Sequence, residues 1–224
     1  MKRSVLTCLL SAATIWAYGQ EKPIDSSYAN SHYLQRLELF KQMPNQKNEI
    51  VFLGNSITEQ GEWQELFPGK PIVNRGIGGD NTFGLFARLD EVLASKPAKI
   101  FLLIGVNDLG RNLPQAVTLN NYRRIVGKIK KESPKTQLYI QSILPLNEEI
   151  LKYPYMKGKN PQVLALNEKL VELAKEFNVP FVNVFSVFAD DKNELKSEVT
   201  LDGIHLRQAA YLQWANYLKS NNYL

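Results

Sequence analysis

The sequence predicts an α/β domain, a three-layer αβα sandwich in which helices cover both faces of a five-stranded parallel sheet. Three observations predict this class. Five short apolar runs alternate with segments whose apolar residues have helical spacing. The runs are almost continuously apolar, as in parallel strands that are buried on both faces. The length of 224 residues suits one such domain, and neither an internal repeat nor a linker divides the chain.

The composition narrows the function classes further. Hydrophobic residues make up 44% and charged residues 22% of the chain, close to the average for globular proteins. The formal net charge of +5 comes from scattered residues, whereas nucleic-acid binders usually cluster their basic side chains. One cysteine excludes an internal disulfide framework and a cysteine-based zinc site. The composition therefore favours neither a nucleic-acid binder nor a metal protein.

Residues 1–19 are predicted to be a signal peptide. Lys2 and Arg3 precede an apolar run that is shorter than the ~20 residues that span a bilayer. Small residues then flank a cleavage position after about Gly19. The mature chain, residues 20–224, would form the single domain and lack Cys8. An exported protein without cysteine suggests a bacterial periplasm or cell exterior; an uncleaved N-terminal helix is the alternative.

The apolar runs are rich in β-branched and aromatic residues, and a glycine or proline stands next to each. The predicted strands are residues 49–53, 72–77, 99–104, 137–144 and 181–184.

Between these runs, apolar residues recur three and four positions apart. The predicted helices are about 27–43, the segment carrying Phe83, Phe86 and Leu93, 115–131, the segment from Val163 to Phe177, and a C-terminal helix around Tyr211 and Leu218. The longest irregular stretch, 145–161, follows the fourth strand, where parallel sheets bind ligands. It is either a pocket wall or a surface excursion.

Ser56 is the candidate nucleophile. It follows the first strand in the segment Gly54-Asn55-Ser56-Ile57 and opens the next helix, so that its N–H and hydroxyl lie at the positive end of that helix. A helix-capping serine is the commoner alternative at such a position.

The second and third strands end in segments that could bind an anion. Gly78 and Gly79 follow the second strand and would expose backbone N–H groups. Asn107 follows the third strand and could aim its side-chain N–H at an oxyanion, although Asn107-Asp108 is also a usual turn pair.

Asp202 and His205 form the fourth segment, Asp202-Gly203-Ile204-His205. The spacing lets the carboxylate accept from His205 Nδ1–H, which leaves Nε2 free as a base. A metal pair or a structural histidine is the alternative. The other histidine, His32, is expected to have only a surface role. Because parallel strands end at one edge of a sheet, the segments would converge as equipment for acyl transfer through an acyl-enzyme.

These four segments resemble, in order, the sequence blocks of the SGNH/GDSL hydrolase family. Asn55 replaces the aspartate of the family's Gly-Asp-Ser-Leu. The resemblance implies a flavodoxin-like sheet of order 2-1-3-4-5 and Ser56 as nucleophile, with Asp202 and His205 completing the triad. It also implies an oxyanion hole made of the Ser56 N–H, the Gly79 N–H and the Asn107 side chain, with no metal or organic cofactor.

The resemblance further implies a serine esterase, and the predicted signal peptide implies that it is exported. The segments around Gly79 and Asn107 look most like the branch of platelet-activating-factor acetylhydrolase subunits and bacterial carbohydrate O-acetylesterases, so the expected reaction removes short acyl groups, mainly acetyl, from carbohydrate. A lysophospholipase or thioesterase acting on lipid esters is the alternative enzyme, and a non-catalytic glycan-binding protein is the alternative from another class. The expected partner is a small-molecule or glycan ester, with neither nucleic acid nor a membrane span. For Trp63, Arg75, Asp80 and Trp214 the sequence does not distinguish substrate contact from packing.

Overall fold

The computed structural model describes residues 24–224, so the predicted signal peptide and Cys8 lie outside the described residues. Within them the predicted sheet is confirmed: five parallel strands in the order β2-β1-β3-β4-β5. The strands are β1 Ile50–Gly54, β2 Ile72–Gly76, β3 Lys99–Leu103, β4 Gln137–Gln141 and β5 Phe181–Val182.

The fourth strand is shorter than its apolar run predicts. It ends at Gln141, although residues 142–146 are also buried. Beyond the strand, the amide side chain of Asn167 bonds both backbone groups of Ile143, and that of Asn160 bonds both backbone groups of Leu146. Because side-chain amides satisfy these buried backbone groups, the segment needs no neighbouring strand.

The helices follow the predicted alternation with two corrections. The N-terminal helix begins at Ser31 rather than near residue 27. The predicted single helix through Phe83 and Leu93 is interrupted at Arg88, whose side chain is fully buried. The helices are α1 Ser31–Gln42, α2 Ser56–Glu59, α3 Trp63–Leu66, α4 Thr82–Ala87, α5 Leu89–Leu93, α6 Val106–Gly110, α7 Gln115–Glu132, α8 Asn160–Glu176, α9 Phe185–Phe188 and α10 Gln208–Ser220.

An aromatic row crosses the sheet and anchors one helical layer. Phe52, Phe101 and Tyr139 are register partners on β1, β3 and β4, and their rings stack at 5.1 and 4.7 Å. Trp63 of α3 stacks on Phe52 at 3.9 Å and meets Trp214 of α10 edge to face. Both tryptophans are therefore core residues, and α3, α9 and α10 cover this face while α4, α5, α7 and α8 contact one another in the other layer.

The sheet order places the three predicted site segments side by side. β1 lies between β2 and β3, and Gly54 pairs with Gly76 and Leu103 at the carboxyl ends of those strands. Ligand sites of open α/β sheets lie at this edge. Within residues 24–224, no helix has both the length and the apolar character that crossing a membrane requires.

Candidate active site

Ser56 lies at the start of α2, in the turn that leaves the central strand. The side chain of Asn55 accepts a hydrogen bond from the Ile57 N–H at 3.0 Å and so caps this short helix. A Cβ at Gly54 would collide with the Leu103 carbonyl oxygen and the Thr58 side chain, which explains the glycine before Asn55. Asn55 thus supplies the capping oxygen that an aspartate would supply at this position.

Ser56, His205 and Asp202 form one hydrogen-bonded chain. The Ser56 hydroxyl donates to His205 Nε2, with 2.9 Å between Oγ and Nε2. His205 Nδ1 donates to Asp202 Oδ2 at 2.7 Å. The structure thus brings these three predicted residues together in the geometry of a nucleophile, a base and a carboxylate that orients the base.

Asp202 remains ionised in its surroundings. Partial burial raises the pKa of its carboxyl, but hydrogen bonds from the His205 ring and from the N–H groups of His205 and Ile204 outweigh burial and hold the pKa below its ordinary value. Those two N–H groups donate to Oδ1 at 2.8 and 2.9 Å. The tight turn therefore leaves Oδ2 for the His205 ring, with a longer bond of 3.3 Å from the Tyr153 hydroxyl.

The two glycines after β2 differ in how their N–H groups are used. Gly78 N–H donates to Glu59 Oε2 at 2.6 Å. Among the described residues, neither the Gly79 N–H nor the Ser56 N–H has an acceptor, and both residues line the same cavity. Gly79 has φ +75°, a conformation that favours glycine. These observations support the prediction of Gly79, rather than Gly78, as an oxyanion donor.

Asn107 lines this cavity after the third strand, as predicted, and is the second residue of the short helix α6. One N–H of its side chain donates to the Asp80 carbonyl at 2.8 Å, which leaves the second N–H for a ligand. The Asp80 side chain is held in turn by Arg88 at 2.8 Å, with both side chains fully buried. Arg88 also donates to the Gly54 carbonyl at 2.9 Å. Its guanidinium therefore connects Asp80, whose carbonyl accepts from Asn107, to the end of the strand that precedes Ser56.

Asp108, next to Asn107, is buried and is not among the cavity-lining residues. Its carboxylate accepts from the backbone N–H and the hydroxyl of Thr82, and Asn121 donates to that hydroxyl at 2.9 Å. Burial raises the pKa of Asp108 to about 6. Asp108 therefore links α6 to the start of α4 rather than forming the turn pair that the sequence also allowed.

The cavity at the site has a volume of about 280 Å³. Its lining residues combine the predicted site with apolar and aromatic side chains: Ser56, Gly79, Val106, Asn107, Tyr153, Tyr155, Met156, Ile204 and His205. Three of them come from the irregular stretch 145–161, which is therefore a pocket wall. The Tyr153 ring packs edge to face on His205 with 5.9 Å between centroids, and Tyr155 is 58% exposed.

Of the four residues that the sequence left open, none lines this cavity. Trp63 and Trp214 are core residues, Arg75 pairs with Glu91 at 3.0 Å, and Asp80 supports Asn107 through its carbonyl group. Glu59, which accepts the Gly78 N–H, was not predicted as a site residue, since its only signal in the sequence is its position one helical turn after Ser56.

Comparisons with known proteins show the family and the fold of this chain. A model of the GDSL-like lipase/acylhydrolase family matches residues 52–212. The rat platelet-activating factor acetylhydrolase IB subunit alpha2 is 27% identical over 169 residues, which cover 73% of this chain and 71% of the relative. A solved structure from Streptococcus pneumonia, described as a platelet activating factor, is 36% identical to this chain. The two superimpose with a TM-score of 0.76 over 84% of this chain and 90% of the Streptococcus chain. A structure of an acetylxylan esterase from Geobacillus stearothermophilus shares the fold at 20% identity, with a TM-score of 0.61 over 79% and 94% of the two chains.

Proposed function

This chain belongs to the GDSL-like lipase/acylhydrolase family and is an ester hydrolase, and on that premise we propose that it removes acetyl groups from carbohydrates in the periplasm or outside the cell through a Ser56 acyl-enzyme. The observation that carries the mechanism is the continuous chain from Ser56 through His205 to Asp202, with bonds of 2.9 and 2.7 Å. Because the family consists of acylhydrolases, the non-catalytic glycan-binding alternative is set aside.

The mechanism uses groups already in place. His205 Nε2 takes the Ser56 proton as Oγ attacks the ester carbonyl, and Asp202 holds the ring and stabilises the imidazolium that forms. The N–H groups of Ser56, Gly79 and Asn107 stabilise the oxyanion. His205 then protonates the leaving alcohol. A water molecule repeats the sequence on the acyl-enzyme, which releases the acid and restores the Ser56 hydroxyl.

A short acyl group fits the cavity best. The cavity volume of about 280 Å³ lies at the lower limit for ligand pockets. Val106, Met156 and Ile204 give the cavity an apolar lining. The names of the rat relative and the Geobacillus esterase both specify acetyl. These observations support acetyl esters over long acyl chains.

A sugar is the alcohol that we favour. Tyr155 presents an exposed ring and a hydroxyl at the cavity, a combination of apolar face and polar tip that suits a sugar ring. The predicted signal peptide would place the enzyme outside the cytoplasm, where acetylated polysaccharides occur. Release of mature protein beginning near Gln20 into a periplasmic or extracellular fraction, read by intact mass, tests the export.

The substrate is tested on the protein from Gln20 onwards. We expect p-nitrophenyl acetate to be hydrolysed faster than the butyrate, and the octanoate slowest, and we expect acetate release from acetylated xylan. Ser56→Ala controls for background hydrolysis. A preference for octanoate, with no acetate from the glycan, would contradict this proposal and support the lipid-ester alternative.

A further inference from the structure

Glu59 stands behind the predicted oxyanion hole and bonds to the loop that carries Gly79. Its Oε2 accepts the Gly78 N–H at 2.6 Å. On the other side, Arg36 Nε lies 2.9 Å and His32 Nε2 3.0 Å from Oε1. The carboxylate is thus fixed between helix α1 and the loop. His32 is half exposed, as a surface residue would be, but it also contacts this carboxylate.

The same residue belongs to the nucleophile's own helix. Glu59 ends α2, whose first residue is Ser56. The Asn74 amide donates to the carbonyl groups of Thr58, Glu59 and Gly61 at 3.0–3.1 Å. A Cβ at Gly76 would collide with the Glu59 backbone. The end of β2 is therefore held against α2 in a fixed position, and Glu59 extends this attachment to the next turn of the loop.

The turn that carries Gly79 is closed by one backbone bond, from the Asp80 N–H to the Ile77 carbonyl at 3.1 Å, and the Gly78 N–H has no backbone acceptor among the described residues. Gly78 and Gly79 are adjacent glycines, the residue type with the widest choice of backbone conformations, and Gly79 is already at φ +75°. A rotation of either peptide plane would turn the Gly79 N–H away from the cavity. An acceptor on Gly78 N–H selects one orientation before the substrate arrives, which is how preorganised donors stabilise a transition state.

We propose that Glu59 is a positioning residue of the oxyanion hole, which holds Gly78 so that the following N–H, that of Gly79, faces the acyl carbonyl. The inference rests on the proposed function, because it takes Gly79 as a donor. Arg36 completes the arrangement: it is always charged, and its ion pair offsets the negative charge of Glu59 near a developing oxyanion. His32 is 50% exposed, so its contribution is the smaller one.

The test compares two substitutions of similar size. Glu59→Gln keeps an oxygen that can accept from Gly78 N–H, whereas Glu59→Leu keeps no acceptor, and both remove the charge. With p-nitrophenyl acetate we expect Glu59→Leu to lower kcat about tenfold with KM changed less than twofold, a fraction of the ~10²–10³ that loss of a whole donor costs. Glu59→Gln is expected to stay within about threefold of wild type. Glu62→Ala is the matched control. It removes an exposed carboxylate three residues after Glu59 and is expected to leave kcat unchanged.

A double-mutant cycle separates positioning from a general structural effect. Glu59→Leu and Asn107→Ala act on the same oxyanion, so their combined loss of kcat is expected to be smaller than the product of the single losses. Circular dichroism and the melting temperature check that each variant is folded. If Glu59→Leu does not fold, Glu59→Ser, which is too short to reach Gly78, replaces it with the same expected loss.

Three results would overturn the inference: wild-type kcat in folded Glu59→Leu, equal losses in Glu59→Leu and Glu59→Gln, or a loss confined to KM. Its failure is distinguishable from failure of the proposed function. If Ser56→Ala and Asn107→Ala lose activity and Glu59→Leu does not, only the role of Glu59 is wrong. If Ser56→Ala keeps full turnover, the proposed mechanism itself is wrong.

Discussion

Substitution of Asn107 by alanine isolates one donor of the proposed oxyanion hole. The side-chain nitrogen has two N–H groups, of which one donates to the Asp80 carbonyl at 2.8 Å and the other is left for the cavity. Loss of one oxyanion donor typically lowers kcat by about 10²–10³, or about 2.7–4 kcal/mol of transition-state stabilisation. We expect a loss of that size for Asn107→Ala, with KM nearly unchanged because the donor acts mainly on the transition state.

The same substitution has a separate, smaller effect on stability. The Asp80 carbonyl loses its donor, which costs about 1 kcal/mol. For a domain of this length such a change shifts the melting temperature by about 2–4 °C, so Asn107→Ala remains folded at assay temperature. A large kcat loss together with a small shift in melting temperature therefore identifies a chemical role rather than partial unfolding.

The assay is initial-rate hydrolysis of p-nitrophenyl acetate, with kcat and KM determined separately. Asn120→Ala, an exposed asparagine on α7, is the matched control and should retain wild-type kcat. Asn107→Asp should lose at least as much as Asn107→Ala, because it places a negative charge where negative charge develops. Wild-type kcat in folded Asn107→Ala would refute the assignment of this side chain to the oxyanion hole.

Three further substitutions test the supports of the site. Asp202→Asn should lower kcat by about 10⁴ because His205 would then be held in the wrong tautomer; a loss below tenfold would contradict that role. Arg88→Leu should lower the free energy of unfolding in urea by about 3–5 kcal/mol, since it leaves the buried Asp80 carboxylate without its cation; a loss under 1 kcal/mol would show that the pair is dispensable. Burial raises the pKa of Asp108 to about 6, above its value in the unfolded chain. As the pH falls through 6, Asp108 is therefore protonated in the folded state while it is still ionised in the unfolded state, and the cost of burying its charge is relieved. The unfolding free energy of wild type minus that of Asp108→Asn should therefore rise by about 1 kcal/mol from pH 7 to pH 5, and an equal difference at both pH values would exclude this titration.

The sequence predicted the edge of the sheet where the site lies because strands carry a local signal. Apolar runs that end in glycine mark the exits of β1, β2 and β3, and a parallel sheet brings such exits together. Ser56 and Asn107 could therefore be placed at one edge before any contact was known. Asp202 and His205 could be paired because they share a single turn of chain.

Contacts between distant segments were out of reach of the same reasoning. Glu59 appears in the sequence as a polar residue at the end of a short helix, and its bond to Gly78 depends on how closely β2 approaches α2. Arg88 lies within a helical apolar pattern, yet its guanidinium turns inward to Asp80, and the helix is interrupted at this residue. The apolar residues 142–144 were predicted as the end of the fourth strand because burial was visible in the sequence, whereas the side-chain amides of Asn160 and Asn167 beyond β4 were not.

The central claim is that Ser56 is the nucleophile, and active-site labelling tests it most directly. Wild-type protein and Ser56→Ala are treated with a fluorophosphonate, and their intact masses and p-nitrophenyl acetate turnover are measured together. We predict one label and complete loss of turnover in the wild type, and neither label nor turnover in folded Ser56→Ala. A label on Ser56→Ala, or an active wild type that takes up no label, would contradict the account.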